Sequence, residues 1–268
     1  MSLSTNIRYL MEHPLEGKRL AEKVDPQNII DRYLARYLKK CRSFIDIGSG
    51  PCTIGHAISQ RFPHIRVVCV DLNPQRLSNI HTFTISRHSL FAVAATIMQL
   101  PFQNNQFDFV FCRFLFQYLQ YPENAVKEIF RILTPGGRLL IQDIDGQLLW
   151  HYPQPPELEK NIAQIIDTLK KYHFDPFVGR KIFHFLYKNK ISDIQVQVEP
   201  YHLTWGKKAQ HHIDQWTHKL NVLSPLIIEA LGDEKKANNM IKNSILFFKK
   251  EETLMYSSLF SVTGTKSD

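Results

Sequence analysis

The stretch Phe44-Ile45-Asp46-Ile47-Gly48-Ser49-Gly50-Pro51 constrains this chain most, because a short apolar run that ends in two glycines can continue in few ways. Such a run fits a buried parallel strand, and the glycines let the backbone turn tightly and approach a ligand without side-chain interference. From Thr53 to Arg61, Ile54, Ala57 and Ile58 recur at helical spacing. A helix therefore follows the turn, with its free N–H groups facing the end of the strand. A glycine turn alone leaves a ligand site and a purely structural bend level. The next apolar run, Ile65 to Val70, moves the balance because it ends in Asp71. An acid at the end of the second strand, roughly 20 residues past the glycines, is placed to accept hydrogen bonds from both hydroxyls of a ribose.

With these residues in view the chain resembles the class I S-adenosylmethionine-dependent methyltransferases, of the small-molecule type. Members carry an acid within the first strand, two residues before the first glycine, as Asp46 stands before Gly48. Met98-Gln99-Leu100-Pro101-Phe102 is similar to their third-strand exit and Phe107 to Cys112 to their fourth strand. Arg131 to Ile141, with Thr134-Pro135-Gly136-Gly137, resembles the approach to strand five. The resemblance implies a Rossmann-like, doubly wound α/β fold with a seven-stranded, mostly parallel sheet and an antiparallel last strand. It implies S-adenosyl-L-methionine as cofactor, with Gly48, Ser49 and Gly50 along its amino-acid part, Asp46 organising the loop and the amine, and Asp71 with Leu72 at the ribose. Thr96 and Ile97 fall at the adenine and Arg113 at the methionine carboxylate. Two positions depart from the pattern: Cys52 stands where a third glycine is usual, and Thr96 where an acid usually meets the adenine amino group.

Composition bounds the rest. With 268 residues the chain can bury one substantial core. Its net charge of +8 is spread over both halves, and no basic run exceeds two neighbours, so a mildly positive surface is favoured over a nucleic-acid groove. Cys41, Cys52, Cys69 and Cys112 lack paired CxxC spacing and read as small core residues in a reducing, cytoplasmic setting. No apolar stretch reaches the roughly 18 residues of a membrane span. His202, His211, His212 and His218 do not repeat at metal-ligand spacing, so no metal is expected.

Residues 1–40 are expected to form an N-terminal helical lid, in which Tyr9 packs near the sulfonium and Arg19 belongs to a Glu-then-Arg-Leu pattern similar to that of small-molecule methyltransferases. Asp25-Pro26 starts a helix, by a cap and a proline at the first turn. Asn73-Pro74 repeats the signal for a helix to about residue 88. The core is expected over 41–200 and 253–268, with strand five ending at Asp143-Ile144-Asp145 and a proline-rich turn and helix over 147–176. Residues 201–252, with Ile213, Trp216 and Leu220 at helical spacing, form a helical cap inserted before the last strand. Asp143, at the carboxyl edge of strand five, is the expected base, since little more than alignment and proton removal is needed for methyl transfer.

The pattern therefore predicts methyl transfer from S-adenosyl-L-methionine to a small, aromatic or lipid-like acceptor. RNA or protein methylation, and cofactor binding without turnover, stand as alternatives. Partners other than the acceptor, the acceptor atom and the oligomeric state are left open.

Overall fold

The computed structural model describes residues 24–77 and 89–267. Its sheet has seven strands: β1 (Ser43–Ile47), β2 (Arg66–Asp71), β3 (Leu90–Ala94), β4 (Phe107–Arg113), β5 (Leu133–Tyr152), β6 (Ser192–Thr204) and β7 (Leu254–Thr265). They lie in the order β3-β2-β1-β4-β5-β7-β6. The first five pair in parallel, and β7 runs antiparallel between β5 and β6. The order reverses between β1 and β4, so a crevice opens at their carboxyl ends, where ligands bind in doubly wound sheets.

Each buried strand divides its side chains between two cores, as a period of two requires. Ile45, Ile47, Val68, Val70 and Val110 face one side, with Val126, Ile129, Ile182 and Leu186. These last come from helices α5 (Pro122–Ile132) and α7 (Ile182–Lys188). Phe44, Val67, Cys69, Phe109 and Phe111 face the other side with Ile30, Leu34, Leu38 and Ile58. That layer holds α1 (Pro26–Ile29), a π-helical segment (Ile30–Leu34), α2 (Ala35–Leu38) and α3 (Thr53–Arg61). Asp25 caps α1 through Oδ1, which accepts the Asn28 N–H at 3.0 Å. The Asn73-Pro74 signal opens α4 (Pro74–Leu77); the rest of its expected span lies outside the described residues.

All four cysteines are buried and free. Burial pushes the Cys41 thiol up to about 12, which fits small core residues rather than reactive ones. Gly55 in α3 stands against β2, and a Cβ there would run into Cys69 Sγ and crowd Val67 at 3.3 Å. Gly55→Ala is therefore expected to destabilise the protein by about 1–3 kcal/mol, the scale of overpacking in a filled core. Thermal denaturation checks it, and an unchanged midpoint would mean that α3 shifts without penalty.

The structure corrects the expected boundaries past strand five. β5 does not end at Asp145: after an irregularity, Trp150, His151 and Tyr152 pair again with Tyr256, Met255 and Leu254 of β7. The expected turn is confined to the residues before α6 (Pro156–Lys171). Residues 201–204 likewise do not open the cap but continue β6, where Tyr201 pairs with Ser257 and Thr204 with Met255. The cap is built from two insertions. Leu158, Ile162 and Ile165 of α6 pack against Ile227, Leu231, Met240 and Ile241. The latter belong to α9 (Ser224–Leu231) and α10 (Glu234–Lys249), which follow α8 (Gln210–Val222). The physical reason is the apolar stripe of α6, which would face water if that helix merely covered a turn.

Candidate functional site

Gly48, at the end of β1, takes φ +76°, a conformation that costs a residue with a Cβ about 1–2 kcal/mol. There its N–H and that of Ser49 both donate to the Val70 carbonyl, at 2.7 and 2.9 Å. The Gly50 N–H donates to Asp71 Oδ2 at 2.9 Å. The glycine loop is thus stitched to the end of β2. Cys52, the N-cap of α3, also sits in the left-handed region at φ 59°, which is why a glycine suits this position. The cysteine holds it at the cost of local strain while burying its side chain completely.

Asp71 is 5% exposed. Its Oδ1 accepts the Asn73 N–H at 2.9 Å, and Arg76 approaches to 3.6 Å. Asp46, 3% exposed, is pushed up to about 7, chiefly by burial and then by the Asp71 carboxylate, with Arg113 opposing. Arg113 lies at the end of β4, where its guanidinium covers the Phe114 ring at 4.0 Å. Its Nε is buried with no hydrogen-bond partner. Phe114 itself turns at φ 56°, and this sharp bend brings Leu115 against Gly48, within 3.3 Å of where a Cβ would stand.

These parts open into one cavity of about 1350 Å³. Asp46, Gly48, Ser49, Gly50, Asp71, Leu72, Thr96, Ile97 and Arg113 all line it. The Thr96 hydroxyl oxygen accepts the Met98 N–H at 3.2 Å, so one of its lone pairs is used locally. Tyr9 and Arg19 fall outside the described residues. Asp143 differs from expectation: it is fully buried and does not line the cavity. Its carboxylate accepts N–H groups from Gln117 at 3.2 Å and Ile144 at 2.8 Å. Burial pushes it up to about 7 while those hydrogen bonds oppose the shift. It braces the loop after β4 from beneath, where an acceptor has no route to it.

The far wall comes from the cap, through Ile162, Leu169, Trp216, Ile227, Met240 and Phe247. Among the lining residues that escaped the sequence reading are His151, Thr204, Lys219 and Ser244. The β-prone run Leu149-Trp150-His151-Tyr152 was the available signal for the first. Among the described residues no group of His, Cys, Asp and Glu is placed to hold a metal ion, and no helix is long and apolar enough to cross a membrane.

A doubly wound sheet with an antiparallel seventh strand, a glycine loop stitched to an acid on β2 and a second acid two residues before the loop give the arrangement that the sequence resemblance implies. Residues 45–141 match the family model described as a methyltransferase domain. Among curated relatives, methyltransferase str3 of Strobilurus tenacellus is 24% identical over 66% of this chain and 65% of its own length. Demethylmenaquinone methyltransferase of Thermus thermophilus is 28% identical over 44% of this chain and 51% of its own. The chain thus spans only part of the length of these relatives. Among solved structures, phosphoethanolamine N-methyltransferase 2 of Haemonchus contortus, in complex with S-adenosyl-L-methionine, superposes with TM-score 0.55 at 17% identity, over 91% of this chain and 52% of that one. The [4+2]-cyclase SpnF superposes with TM-score 0.53 at 12% identity, over 93% and 81%. Likeness at this level concerns the fold alone.

Proposed function

We propose that this chain transfers the methyl group of S-adenosyl-L-methionine to a small, apolar acceptor of aromatic or lipid-like character, held between the sheet and the cap. The observation that carries the reading is one continuous cavity, with the glycine loop and both acids at one end and, at the other, a mostly apolar cap wall that also carries His212, His218 and Lys219. Its volume of about 1350 Å³ exceeds the roughly 300–1,000 Å³ of an ordinary small-molecule site, which leaves room for an acceptor beside the cofactor. A mostly apolar wall also favours this acceptor class over RNA or a protein.

The residues present fit the cofactor. The buried, unpartnered Nε of Arg113 is a donor suited to a carboxylate. The N–H groups of the glycine loop, Asp46 beside the amine and Asp71 at the ribose complete the set. Both Asp71 oxygens already accept a backbone N–H, but each keeps a further lone pair for a ribose hydroxyl. When bound, S-adenosylmethionine supplies a sulfonium-activated methyl group. The protein's part is to line up the acceptor and exclude water, which alone supplies much of the rate. Calorimetric titration with S-adenosylmethionine and S-adenosylhomocysteine, with NAD as control, tests the reading. Micromolar binding of the first two alone is expected, and binding of none would remove it.

The position of Asp46 adds a pH signature. Its folded-state value of about 7 lies above its ordinary 3.8, so its contribution to stability is fully present below 3.8 and is lost as pH rises through 7. A cationic amine beside it favours the carboxylate. Cofactor binding just below pH 7 is therefore expected to release a proton from Asp46, and affinity should fall as the solution is acidified further. Titration in buffers of different ionisation enthalpy reads the proton directly. Release that persists undiminished in Asp46→Asn would assign it to another group.

A further inference from the structure

Two bulky residues of the cavity take the left-handed backbone conformation, Phe114 at φ 56° and His202 at φ 53°. Of the described non-glycine residues with positive φ, these two alone line the cavity. The conformation costs a residue with a Cβ about 1–2 kcal/mol. Strain of this kind persists only where the surrounding structure holds it, and it gathers at functional sites.

At His202 the cause is a bulge in β6. Tyr201 pairs with Ser257 and Thr204 with Met255, so three steps along β6 match two along β7 and one residue is extra. In a regular strand Tyr201 and His202 would point to opposite faces of the sheet. Here both line the cavity, with ring centroids 4.1 Å apart. At Phe114 the bend after β4 brings a second ring to 5.6 Å from Tyr201. His202 in turn meets Trp216 of α8 edge to face at 6.1 Å, and Trp216 meets Phe248 of α10 at 6.0 Å. The rings thus form an unbroken wall from the loop after β4, where Leu115 lies against Gly48, to the cap. Phe114, Tyr201, His202 and Trp216 are each partly exposed, so the wall keeps surface for a guest. A cation stands over a ring at each end, Arg113 on Phe114 at 4.0 Å and Lys219 on Trp216 at 4.9 Å.

We propose that this wall selects a flat aromatic acceptor over an aliphatic chain. An aliphatic guest gains only what its buried area supplies, whereas a ring also gains from edge-to-face and offset contacts with rings already held in place. The two cations act in the same sense, because they attract the negative face of an aromatic system and do nothing for a saturated one. The inference deepens the methyl-transfer reading and rests on it only in calling the guest an acceptor. Tyr201, His202 and Trp216 are the residues that set the preference.

Calorimetric titration of the protein with 2-naphthol and with decahydro-2-naphthol, each with and without S-adenosylhomocysteine, tests this. The two probes share a skeleton and a hydroxyl and differ in planarity and aromatic character, so the ratio of their affinities is the readout. Trp216→Leu keeps apolar volume without the ring, and His202→Asn removes the ring with a residue that tolerates the left-handed backbone. Each should lower the ratio in favour of 2-naphthol by about 2–10-fold. If the leucine variant does not fold, His202→Asn carries the test. Failure of 2-naphthol to bind the parent, or a ratio equal to the parent's in either folded variant, would overturn the wall. The same fall in ratio in protein without affinity for S-adenosylhomocysteine would leave the wall standing and count against the methyl-transfer reading alone.

Discussion

Asp71→Ala is expected to weaken S-adenosylmethionine binding by about 1–3 kcal/mol, the scale of hydrogen bonds to a charged acceptor, or roughly 5–150-fold in dissociation constant. Two losses combine. The ribose would lose its carboxylate, and the Gly50 N–H would lose the acceptor that fixes the loop at 2.9 Å. The variant also removes the second-largest cause of the raised value of Asp46, so the proton released on binding should diminish together with affinity. Asp71→Asn keeps one carbonyl oxygen for either Gly50 or Asn73 and should lie between the two. Calorimetry on folded protein decides the matter: an unchanged dissociation constant for Asp71→Ala would remove Asp71 from the ribose site.

Arg180→Met should lower stability by about 2–4 kcal/mol, and the thermal midpoint by roughly 5–10 °C in a chain of this size. Asp145 is 1% exposed at the last regular pair of β5 before its irregularity. Arg180 donates to its carboxylate from Nε at 2.9 and 3.0 Å, from Nη2, and from the backbone N–H at 3.0 Å. The guanidinium also lies over Phe177 at 5.2 Å and Trp150 at 5.8 Å. Methionine would keep some of that packing but leave a buried carboxylate with only the backbone donor. The arginine side chain is half exposed, so water can replace part of the lost pairing and holds the expected loss below that of a wholly buried pair. Adding Asp145→Asn should recover much of the loss, because the double variant no longer buries a charge. A midpoint within about 1 °C of the parent would show that water satisfies Asp145 as well as Arg180 does.

Taken together, the two substitutions separate the ends of the molecule's working surface. Asp71 acts where β1 and β2 deliver the loop, and Arg180 where β5 turns toward the cap. The first should change ligand affinity with little effect on the fold, whereas the second should do the reverse.

The strand, glycine loop, helix and both acids around the crevice were legible in the chain because each is written within a few neighbouring residues. An apolar run marks β1, a positive φ demands Gly48, and Asp25-Pro26 caps a helix. Even Cys52 could be recognised as a departure, although its left-handed backbone was visible only in the fold. What the tertiary structure decided depends on partners far away in sequence. Asp143 reads locally as an acid at a strand end, but Gln117, 26 residues earlier, turns it into a buried brace. His151 and Thr204 meet across Met255 only because β7 pairs with both β5 and β6, and helix α6 joins the cap only when its apolar stripe finds α9 and α10. Local pattern fixes what an element is, whereas register and packing between distant elements fix which side chains face the cavity, and no short window of sequence contains those partners.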